Sequence, residues 1–224
     1  MKTMTIKNVS EYLDVVRETH FPYCYRGQAQ DWPLLPSIGR IIDTVGVDML
    51  TFEEDVIEKL QQYGFPYLKD NVPSYTDWIL HAQHYGLPTR LLDFTTNPLK
   101  ALYFAVEDES ETDGVVWSLD ESGVRKFPSL DMKKIVFYHP VHINSRIVAQ
   151  ESVFAVFPLQ KDEIEIVPLE ERENDFRFFM KVKIPPVCKP KIKQELSILG
   201  INKMSVYPGI EGVIDKIKED WGLN

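Results

Sequence analysis

The sequence predicts an α+β fold, in which a helix-rich N-terminal half packs on a mixed or antiparallel sheet. Helix caps and apolar residues at helical spacing dominate roughly the first 110 residues, whereas short runs of β-branched and aromatic residues dominate about the next 75. A length of 224 residues suits one large domain or two small ones. Because no internal repeat or long linker divides the chain, a single domain over residues 1–224 is expected.

Each predicted helix of the first half begins at a capping residue. Ser, Thr and Asn side chains accept hydrogen bonds from the free N–H groups of a first helical turn. The predicted caps are Ser10 for a helix over residues 11–19, Thr51 with Glu54 for residues 52–63, Ser74 with Asp77 for residues 75–85, and Asn97 with Pro98 for a helix through residue 104. Gly64 and Gly86 are expected to end the second and third of these helices. Further on, Pro190 begins a predicted helix that ends at Gly200, and a short helix follows Gly209.

The predicted strands are short, rich in branched and aromatic side chains, and separated by turn residues. They cover residues 91–95, 114–119, 134–138, 152–157, 163–167 and 176–184. Helices followed by strands of this kind are typical of a helical layer packed on one sheet.

Composition limits the classes of partner. The net charge of −9 and the pI of about 5.1 argue against tight binding of nucleic acid through its phosphates, but leave a nucleic acid open as a transient substrate. No apolar run approaches the ~20 residues that span a bilayer, and residues 1–8 lack the apolar stretch of a signal peptide. We therefore expect no membrane partner and a cytoplasmic location.

Cysteine and histidine usage gives no sign of a metal site. The two cysteines, Cys24 and Cys188, predict neither a disulfide framework nor a structural zinc site. The histidines that show no recognisable metal-ligand spacing are His20, His81, His139 and His142. No metal cofactor is expected.

Residues 78–105 form the most informative stretch of the chain. Polar side chains stand there between two strongly apolar flanks, and buried polar groups must be satisfied by one another or by a ligand. They are His81, Gln83, His84, Tyr85, Thr89, Arg90, Asp93, Thr95 and Asn97. A second polar cluster, Tyr25-Arg26-Gly27-Gln28, lies upstream. The sequence therefore predicts a pocket that is built from these two segments.

The upstream cluster has the features of an anion contact. The planar fork of Arg26 suits a phosphate or a carboxylate. Gly27 permits close approach of a ligand to the backbone, and Gln28 suits an amide or a hydroxyl. The alternative is an arginine that bonds a loop carbonyl beside a glycine in a turn.

Asp93 is the one acid of a predicted buried strand. A buried carboxylate needs partners, and Arg90, His84 or Arg26 are candidates. The alternative is a structural ion pair between Asp93 and an arginine that fixes the path of the chain. Both interpretations stay open at this point.

One long motif and several short ones resemble the FRG domain family. The residues that carry the resemblance are Tyr25-Arg26-Gly27-Gln28, Trp32 to Ser37 (WPLLPS), Gln83 to Thr95 (QHYGLPTRLLDFT), Asn97-Pro98 and Ala101 to Ala105 (ALYFA). The family takes its name from the motif around Arg26-Gly27, where this chain has Tyr25 in place of Phe. Shorter matches through Tyr207-Pro208-Gly209 extend the resemblance over nearly the whole chain. Such domains occur widely in bacteria and phages, and the family implies no single activity.

A second resemblance implies a chemistry. Tyr25-Arg26-Gly27 is similar to the Arg-Gly strand of arginine-class ADP-ribosyltransferases, and Phe94-Thr95-Thr96 is similar to their Ser-Thr-Ser strand, which leads into a helix. Gln150-Glu151-Ser152 resembles their Gln/Glu-x-Glu motif in part, because here the Glu directly follows the Gln. The resemblance implies an ADP-ribosyltransferase-like fold with NAD as a substrate.

The same resemblance implies roles for individual residues. Arg26 would hold the NAD pyrophosphate or the adjacent ribose, the Gly27 backbone would bind the nicotinamide amide, and Tyr85 would stack on its ring. Glu151 is the first candidate for the catalytic carboxylate, and Asp93 is the second. The other expected contributions are a brace for the acid and Arg26 from Thr95, substrate orientation by His84 and Arg90, an acceptor-side position for Gln150, and further binding contacts from Tyr25, Gln28 and Thr89.

The leading hypothesis is an NAD-consuming transferase that modifies a protein or a nucleic acid. A bacterial toxin or a phage-defence effector would fit this activity, and a toxin would imply an antitoxin partner. Two alternatives remain. One is a non-catalytic recognition module that binds a nucleotide or a similar anion, and the other is a hydrolase that uses His84 with Asp93 or Cys24.

Overall fold

The computed structural model describes residues 2–18, 23–41, 46–68, 74–108, 111–120, 132–140 and 145–223. Within these ranges the architecture is α+β, with eight α-helices and a single mixed sheet of seven strands. The predicted fold class is confirmed. His20 and His142, two of the histidines without recognisable metal-ligand spacing, lie outside the described residues.

The sheet contains one parallel pair at its edge and is otherwise antiparallel. Its strands are β1 (Lys2–Thr5), β2 (Tyr23–Gln28), β3 (Leu91–Thr95), β4 (Gly114–Asp120), β5 (Val136–Tyr138), β6 (Ser152–Val156) and β7 (Phe179–Ile184). Their order is β1–β7–β4–β2–β3–β6–β5, and β1 runs parallel to β7. The central strands β2 and β3 pair only where Tyr25 lies opposite Thr95, so they diverge beyond that point.

The helices are α1 (Val9–Arg17), α2 (Met49–Gly64), α3 (Tyr75–His84), α4 (Pro98–Val106), α5 (Ser145–Gln150), α6 (Lys189–Ile198), α7 (Lys203–Val206) and α8 (Ile210–Trp221). Two of the four predicted N-terminal caps are confirmed. Ser74 Oγ accepts a hydrogen bond of 3.2 Å from Asp77 N at the start of α3. Asn97 Oδ1 accepts one of 3.0 Å from Leu99 N at the start of α4.

The other two caps were predicted too late in the chain. Asn8 caps α1 by accepting a 2.9 Å hydrogen bond from Glu11 N, so Ser10 lies inside the first turn. Asp48 caps α2 by accepting a 3.0 Å hydrogen bond from Thr51 N, so this helix begins three residues earlier than expected. Asn, Asp, Ser and Thr are comparable caps, and each region contains two of them, two or three positions apart. The sequence alone did not rank them.

The predicted strand over residues 163–167 is wrong. This segment is irregular, and Ile164 and Val167 are exposed. Ile166 packs inward, but no neighbouring strand among the described residues pairs with the segment. Although its apolar residues alternate, the segment therefore forms no backbone hydrogen-bond ladder with a described strand. In contrast, β1 was not predicted, because this four-residue strand forms only by pairing with β7.

Two groups of helices lie on one face of the sheet. One core cluster joins α1, α4 and α6 to the strands on the β1 side and includes Tyr25. Another joins α2 and α3 to β3, β5 and β6 and includes Leu91. Because Tyr25 lies opposite Thr95, and Leu91 shares the face of Thr95, both clusters lie on the same face. Irregular segments that include Leu34 and Leu169 cover the other face.

Candidate ligand-binding and active site

A cavity of about 300 Å³ lies between the two groups of helices, at the centre of the sheet. We call it the Arg26 pocket. The strands contribute Tyr25, Arg26, Gly27, Asp93, Phe94, Thr95, Ser152 and Phe154. The helices and the chain after α7 contribute Leu80, Gln83, His84, Phe104, Arg146, Ile147, Gln150 and Tyr207. The two polar segments that the sequence singled out therefore meet at one cavity.

Arg26 bridges the strands that diverge. Its Nη1 donates a 2.8 Å hydrogen bond to the backbone oxygen of Asp93, and its Nε donates one of 3.1 Å to Gln28 Oε1. Burial lowers the pKa of Arg26 to about 10, the charge of Asp93 acts in the opposite direction, and Arg40 adds a smaller lowering. Arg26 is thus a cation at neutral pH. Its Nη2 has no hydrogen-bond partner among the described residues, so this donor is free for a ligand.

Asp93 is the carboxylate of the pocket, and Gln83 holds it. Gln83 Nε2 donates a 2.9 Å hydrogen bond to Asp93 Oδ2. On the other side of the amide, Thr89 Oγ1 donates to Gln83 Oε1, and the same hydroxyl oxygen accepts from Leu91 N at 3.2 Å. Because the single hydroxyl proton of Thr89 is directed to Gln83, the amide can present only its NH₂ end to Asp93. The carboxylate therefore stands in one orientation beside Arg26.

Gly27 and Gln28 differ from their expected roles as ligand contacts. A Cβ atom on Gly27 would lie 1.8 Å from the backbone oxygen of Ala101, so the glycine is required for α4 to approach β2. Gln28 is 4% exposed, donates from Nε2 to the backbone oxygen of Trp32 at 2.7 Å, and accepts from Arg26. Gly27 borders the pocket, whereas Gln28 stabilises Arg26 from behind.

Thr95 and Gln150 both line the pocket and bond to each other. Thr95 Oγ1 donates a 2.6 Å hydrogen bond to the backbone oxygen of Gln150 and accepts one of 3.0 Å from Asn97 N. Gln150 Nε2 donates to the backbone oxygen of Val206 at 3.3 Å. Thr95 therefore stabilises the turn between α5 and β6. The expected contacts of Thr95 with the acid and with Arg26 are not among its hydrogen bonds.

Exposed and aromatic groups form the mouth of the pocket. The Arg146 guanidinium lies 5.5 Å from the ring centroid of Tyr207, whose hydroxyl donates to Glu107 Oε2 at 2.8 Å. Burial raises the pKa of Tyr207 well above its ordinary value and also raises the pKa of Glu107. Burial, and then the charges of Arg146 and His81, lower the pKa of His84. His84 is therefore mainly neutral at pH 7, and Arg146 is the permanent cation of the mouth.

Glu151, the first candidate for the catalytic acid, does not line the Arg26 pocket. Its side chain is 46% exposed, and its Oε1 accepts from Lys100 Nζ at 2.7 Å and from Asn97 Nδ2 at 2.9 Å. This carboxylate thus ties β6 to the start of α4. Asp93, the second candidate, is the acid that the structure brings to Arg26.

Arg90 also lies outside the Arg26 pocket, contrary to its expected role in substrate orientation. It is 1% exposed, and its Nε donates to Glu53 Oε2 at 2.6 Å. The backbone N of Arg90 donates to Glu53 Oε1 at 3.0 Å. The partner of Arg90 is therefore Glu53 of α2 and not Asp93, because the chain at the start of β3 turns toward α2.

Tyr85 and Thr89 are the remaining predicted contacts that the pocket does not include. Tyr85 is 66% exposed beyond the end of α3, and its ring meets the His84 ring edge-on at 4.9 Å between centroids. Stacking of Tyr85 on a ligand inside the cavity is therefore not supported. Thr89 is completely buried and acts through Gln83.

Of the three residues proposed for a hydrolase, two line the pocket and one does not. Cys24 is completely buried, its Sγ lies 3.8 Å from the backbone oxygen of Leu119, and it does not line the pocket. His84 and Asp93 both line the pocket, but the described residues include no hydrogen bond between them. A preformed nucleophile–base pair is therefore absent from the described part of the site.

Within the described ranges, no three or more His, Cys, Asp or Glu side chains come together in a way that could hold a metal ion. None of the described helices combines the length and the apolar content that crossing a membrane requires.

Among the pocket residues that had no predicted site role are Gln83, Phe104 and Tyr207. Gln83 was noted as polar, but its contact with Asp93 depends on the angle at which α3 packs on β3. Phe104 and Tyr207 read as ordinary aromatic residues, and their rings meet at 6.2 Å only in the fold. The Tyr-Pro-Gly motif at Tyr207 was the only signal that could have drawn attention to that residue.

A comparison with known protein families covers the residues at the core of this site. Residues 22–114 match the FRG domain. The chain carries an FRG domain. The matched segment of the FRG domain includes Arg26, Gln83, His84, Asp93 and Phe104, whereas Arg146, Gln150 and Tyr207 follow it in the chain. No curated protein and no solved structure matches the chain. The FRG domain thus supplies the charged centre of the pocket, and the later residues close it.

Proposed function

We propose that the Arg26 pocket binds NAD and cleaves its bond between nicotinamide and ribose, so that the ADP-ribosyl unit passes to an acceptor. One observation carries this proposal: a fixed carboxylate, Asp93, and a cation with a free donor, Arg26, share one cavity with aromatic side chains. The resemblance of the Arg-Gly and Phe-Thr-Thr motifs to arginine-class ADP-ribosyltransferases supports it.

The chemistry needs a negative charge close to the ribose. When the C1′–N1 bond breaks, its electron pair leaves with nicotinamide, and the ribose becomes an oxocarbenium-like cation. A carboxylate that is already oriented stabilises this charge without reorganisation in the transition state. Asp93 is held in this manner by Gln83. A nucleophile of the acceptor then bonds to C1′, and its proton passes to the solvent or to Asp93.

The rest of the pocket suits the remainder of NAD. The aromatic rings of Phe104 and Phe154 offer apolar surface to nicotinamide and ribose. The free Nη2 of Arg26 suits a ribose hydroxyl or a phosphate oxygen. Arg146 at the mouth suits the pyrophosphate, since the cavity of about 300 Å³ holds one half of the dinucleotide and the other half extends outward.

The biological setting follows from the activity. We propose a cytoplasmic enzyme that modifies a protein or a nucleic acid, as a bacterial toxin or a phage-defence effector would. For a chain with a net charge of −9, a nucleic acid acceptor would meet the protein at the cationic mouth and not over a broad surface. A toxin of this kind would need an antitoxin.

The deciding experiment is release of nicotinamide from NAD by the purified protein, measured by chromatography with and without RNA, DNA and cell extract. Asp93→Asn and Arg26→Ala should each lower the rate about 100-fold or more. Glu151→Gln is the matched control, because its carboxylate lies outside the pocket, and it should retain the rate. Circular dichroism would check that each variant is folded. Loss of release in Glu151→Gln but not in Asp93→Asn would overturn the assignment of the acid.

A non-catalytic recognition module is the second candidate, and one observation favours it. Arg26 uses Nε and Nη1 for bonds within the protein, which is the usual arrangement of a structural or binding arginine. This function predicts that NAD or a simpler nucleotide binds, that Arg26→Ala abolishes binding, and that no nicotinamide is released under any condition. Calorimetry beside the release assay separates the two candidates.

A further inference from the structure

A second cavity, of about 560 Å³, lies on the far side of Arg90 and shares no lining residue with the Arg26 pocket. We call it the Arg90 cavity. It lies among the start of α2, the start of α3 and the chain that follows β6. Leu50, Tyr75, Arg90 and Leu159 are among the side chains that line it. Nothing in the chemistry proposed for NAD uses this space.

Two buried polar atoms at the Arg90 cavity lack partners. The Arg90 guanidinium bonds Glu53 through Nε and Nη2, but its Nη1 has no hydrogen-bond partner among the described residues. The hydroxyl of Tyr75 is likewise buried without a partner in that part of the chain. Unsatisfied buried donors are uncommon, and those of a charged group are the most unfavourable. Both residues line this one cavity, so an acceptor bound there could satisfy both donors.

The charges around the cavity favour an acceptor that is negative. Lys133 and Lys161 line it and are exposed, with Glu54 as the only acid among its described lining residues. Glu53 neutralises the charge of Arg90 but leaves the Nη1 hydrogens free. Burial raises the pKa of Tyr75 to about 12, with Glu53 as a second cause, so its hydroxyl keeps its proton and remains a donor.

The size and the apolar lining argue that the ligand is larger than an inorganic ion. A cavity of about 560 Å³ exceeds the volume that phosphate alone would fill. Leu50, Met132 and Leu159 supply apolar surface beside the two free donors. We propose that the Arg90 cavity binds a small organic anion, whose carboxylate or phosphate oxygen accepts from Arg90 Nη1 and Tyr75 OH while its apolar part contacts these three side chains.

This site would be separate from the NAD chemistry, and its test does not depend on that chemistry. Isothermal titration calorimetry of the full chain would use four probes: hexanoate, acetate, inorganic phosphate and hexan-1-ol. The proposed site predicts binding of hexanoate, weaker binding of acetate and inorganic phosphate, and no measurable binding of the uncharged alcohol. The binding should weaken as salt concentration rises, because the two lysines are exposed.

Variants locate the binding. Tyr75→Phe should weaken the anion about tenfold, as expected for loss of a hydrogen bond to a charged acceptor. It should not lower the melting temperature of the free protein, because the hydroxyl that it removes has no partner. Lys133→Ala and Lys161→Ala should each weaken binding severalfold. Lys134→Ala is the matched control, since Lys134 adjoins Lys133 but does not line the cavity.

Three results would overturn the proposal. The first is the absence of any heat from hexanoate at millimolar concentration, which would mean that the cavity does not bind an organic anion. The second is equal affinity in Tyr75→Phe and the unchanged protein, which would locate the anion elsewhere. The third is equal affinity for hexanoate and hexan-1-ol, which would leave an apolar cavity without recognition of charge.

Discussion

Gln83 donates a 2.9 Å hydrogen bond from Nε2 to Oδ2 of Asp93. The two residues lie on different elements, α3 and β3, and ten positions apart. Because Thr89 occupies the other end of the amide, the bond has one allowed orientation. This contact converts a strand acid into a positioned carboxylate, and it links the packing of α3 to the chemistry proposed for the pocket.

Replacing Gln83 with Leu should therefore destabilise the protein by about 1–3 kcal/mol, because Thr89 and Asp93 both lose their side-chain partner. Urea denaturation followed by circular dichroism measures this loss. Gln62→Leu, at an exposed glutamine of α2, is the control and should change stability by less than about 0.5 kcal/mol. Equal stability of the two variants would mean that the Gln83–Asp93 bond contributes nothing.

Gly27→Ala should destabilise the protein by about 3 kcal/mol or more, since the new Cβ would lie 1.8 Å from a backbone oxygen that cannot move alone. Gly39→Ala is the matched control, because its Cβ would meet the nearest side-chain atom at 3.4 Å, an ordinary contact. Thermal melts of both variants test the difference. A Gly27→Ala protein with an unchanged melting temperature would contradict the close approach of α4 to β2.

Breaking the buried ion pair should be more costly than removing both partners. Glu53→Ala leaves Arg90 charged and unpaired at 1% exposure, with an expected loss of about 3–5 kcal/mol. The double variant Glu53→Leu with Arg90→Met should recover part of that loss, because no uncompensated charge remains. Chemical denaturation of both, beside Glu54→Ala as an exposed control on the same helix, gives the comparison. A double variant less stable than Glu53→Ala would refute this account.

The pKa of His84 should lie below 6.5 in the free protein and should rise when Arg146 is replaced by Ala. The sign follows from the charges: a nearby guanidinium repels the proton that would make imidazolium, so its removal makes protonation easier. NMR titration of the histidine ring protons measures the shift. Arg17→Ala, on the distant helix α1, should leave the titration unchanged. If the titration curve of His84 in Arg146→Ala overlies that of the unchanged protein, Arg146 does not lower the pKa of His84.

Local signals in the sequence predicted the elements that depend on local chemistry. Ser74 and Asn97 were identified as caps because each side chain bonds an N–H within its own first turn. The strand 91–95 was identified from its apolar run. The segment 163–167 was wrongly predicted as a strand because its apolar residues alternate as in a strand. A strand must also pair with a neighbouring strand, and no local pattern reveals whether one is present.

The site was predictable as a set of segments and not as a set of contacts. The motifs at Arg26 and at Asp93 pointed to one pocket, and the two residues do share it. The choice between Glu151 and Asp93 was not predictable, because Lys100 draws Glu151 to the start of α4. The partner of Arg90 was also hidden, since Glu53 lies 37 positions earlier, on α2.

The sequence by itself determined the fold class, the two polar segments and the FRG domain motif, because composition, periodicity and short motifs are properties of neighbouring residues. Only the tertiary structure decided which charges meet. Ion pairs and hydrogen bonds form over about 3 Å, so an error of a single strand register or helix turn exchanges one partner for another. For this reason Asp93, Gln83 and Arg26 share one cavity, while Glu151 bonds Lys100 and Arg90 bonds Glu53 outside it.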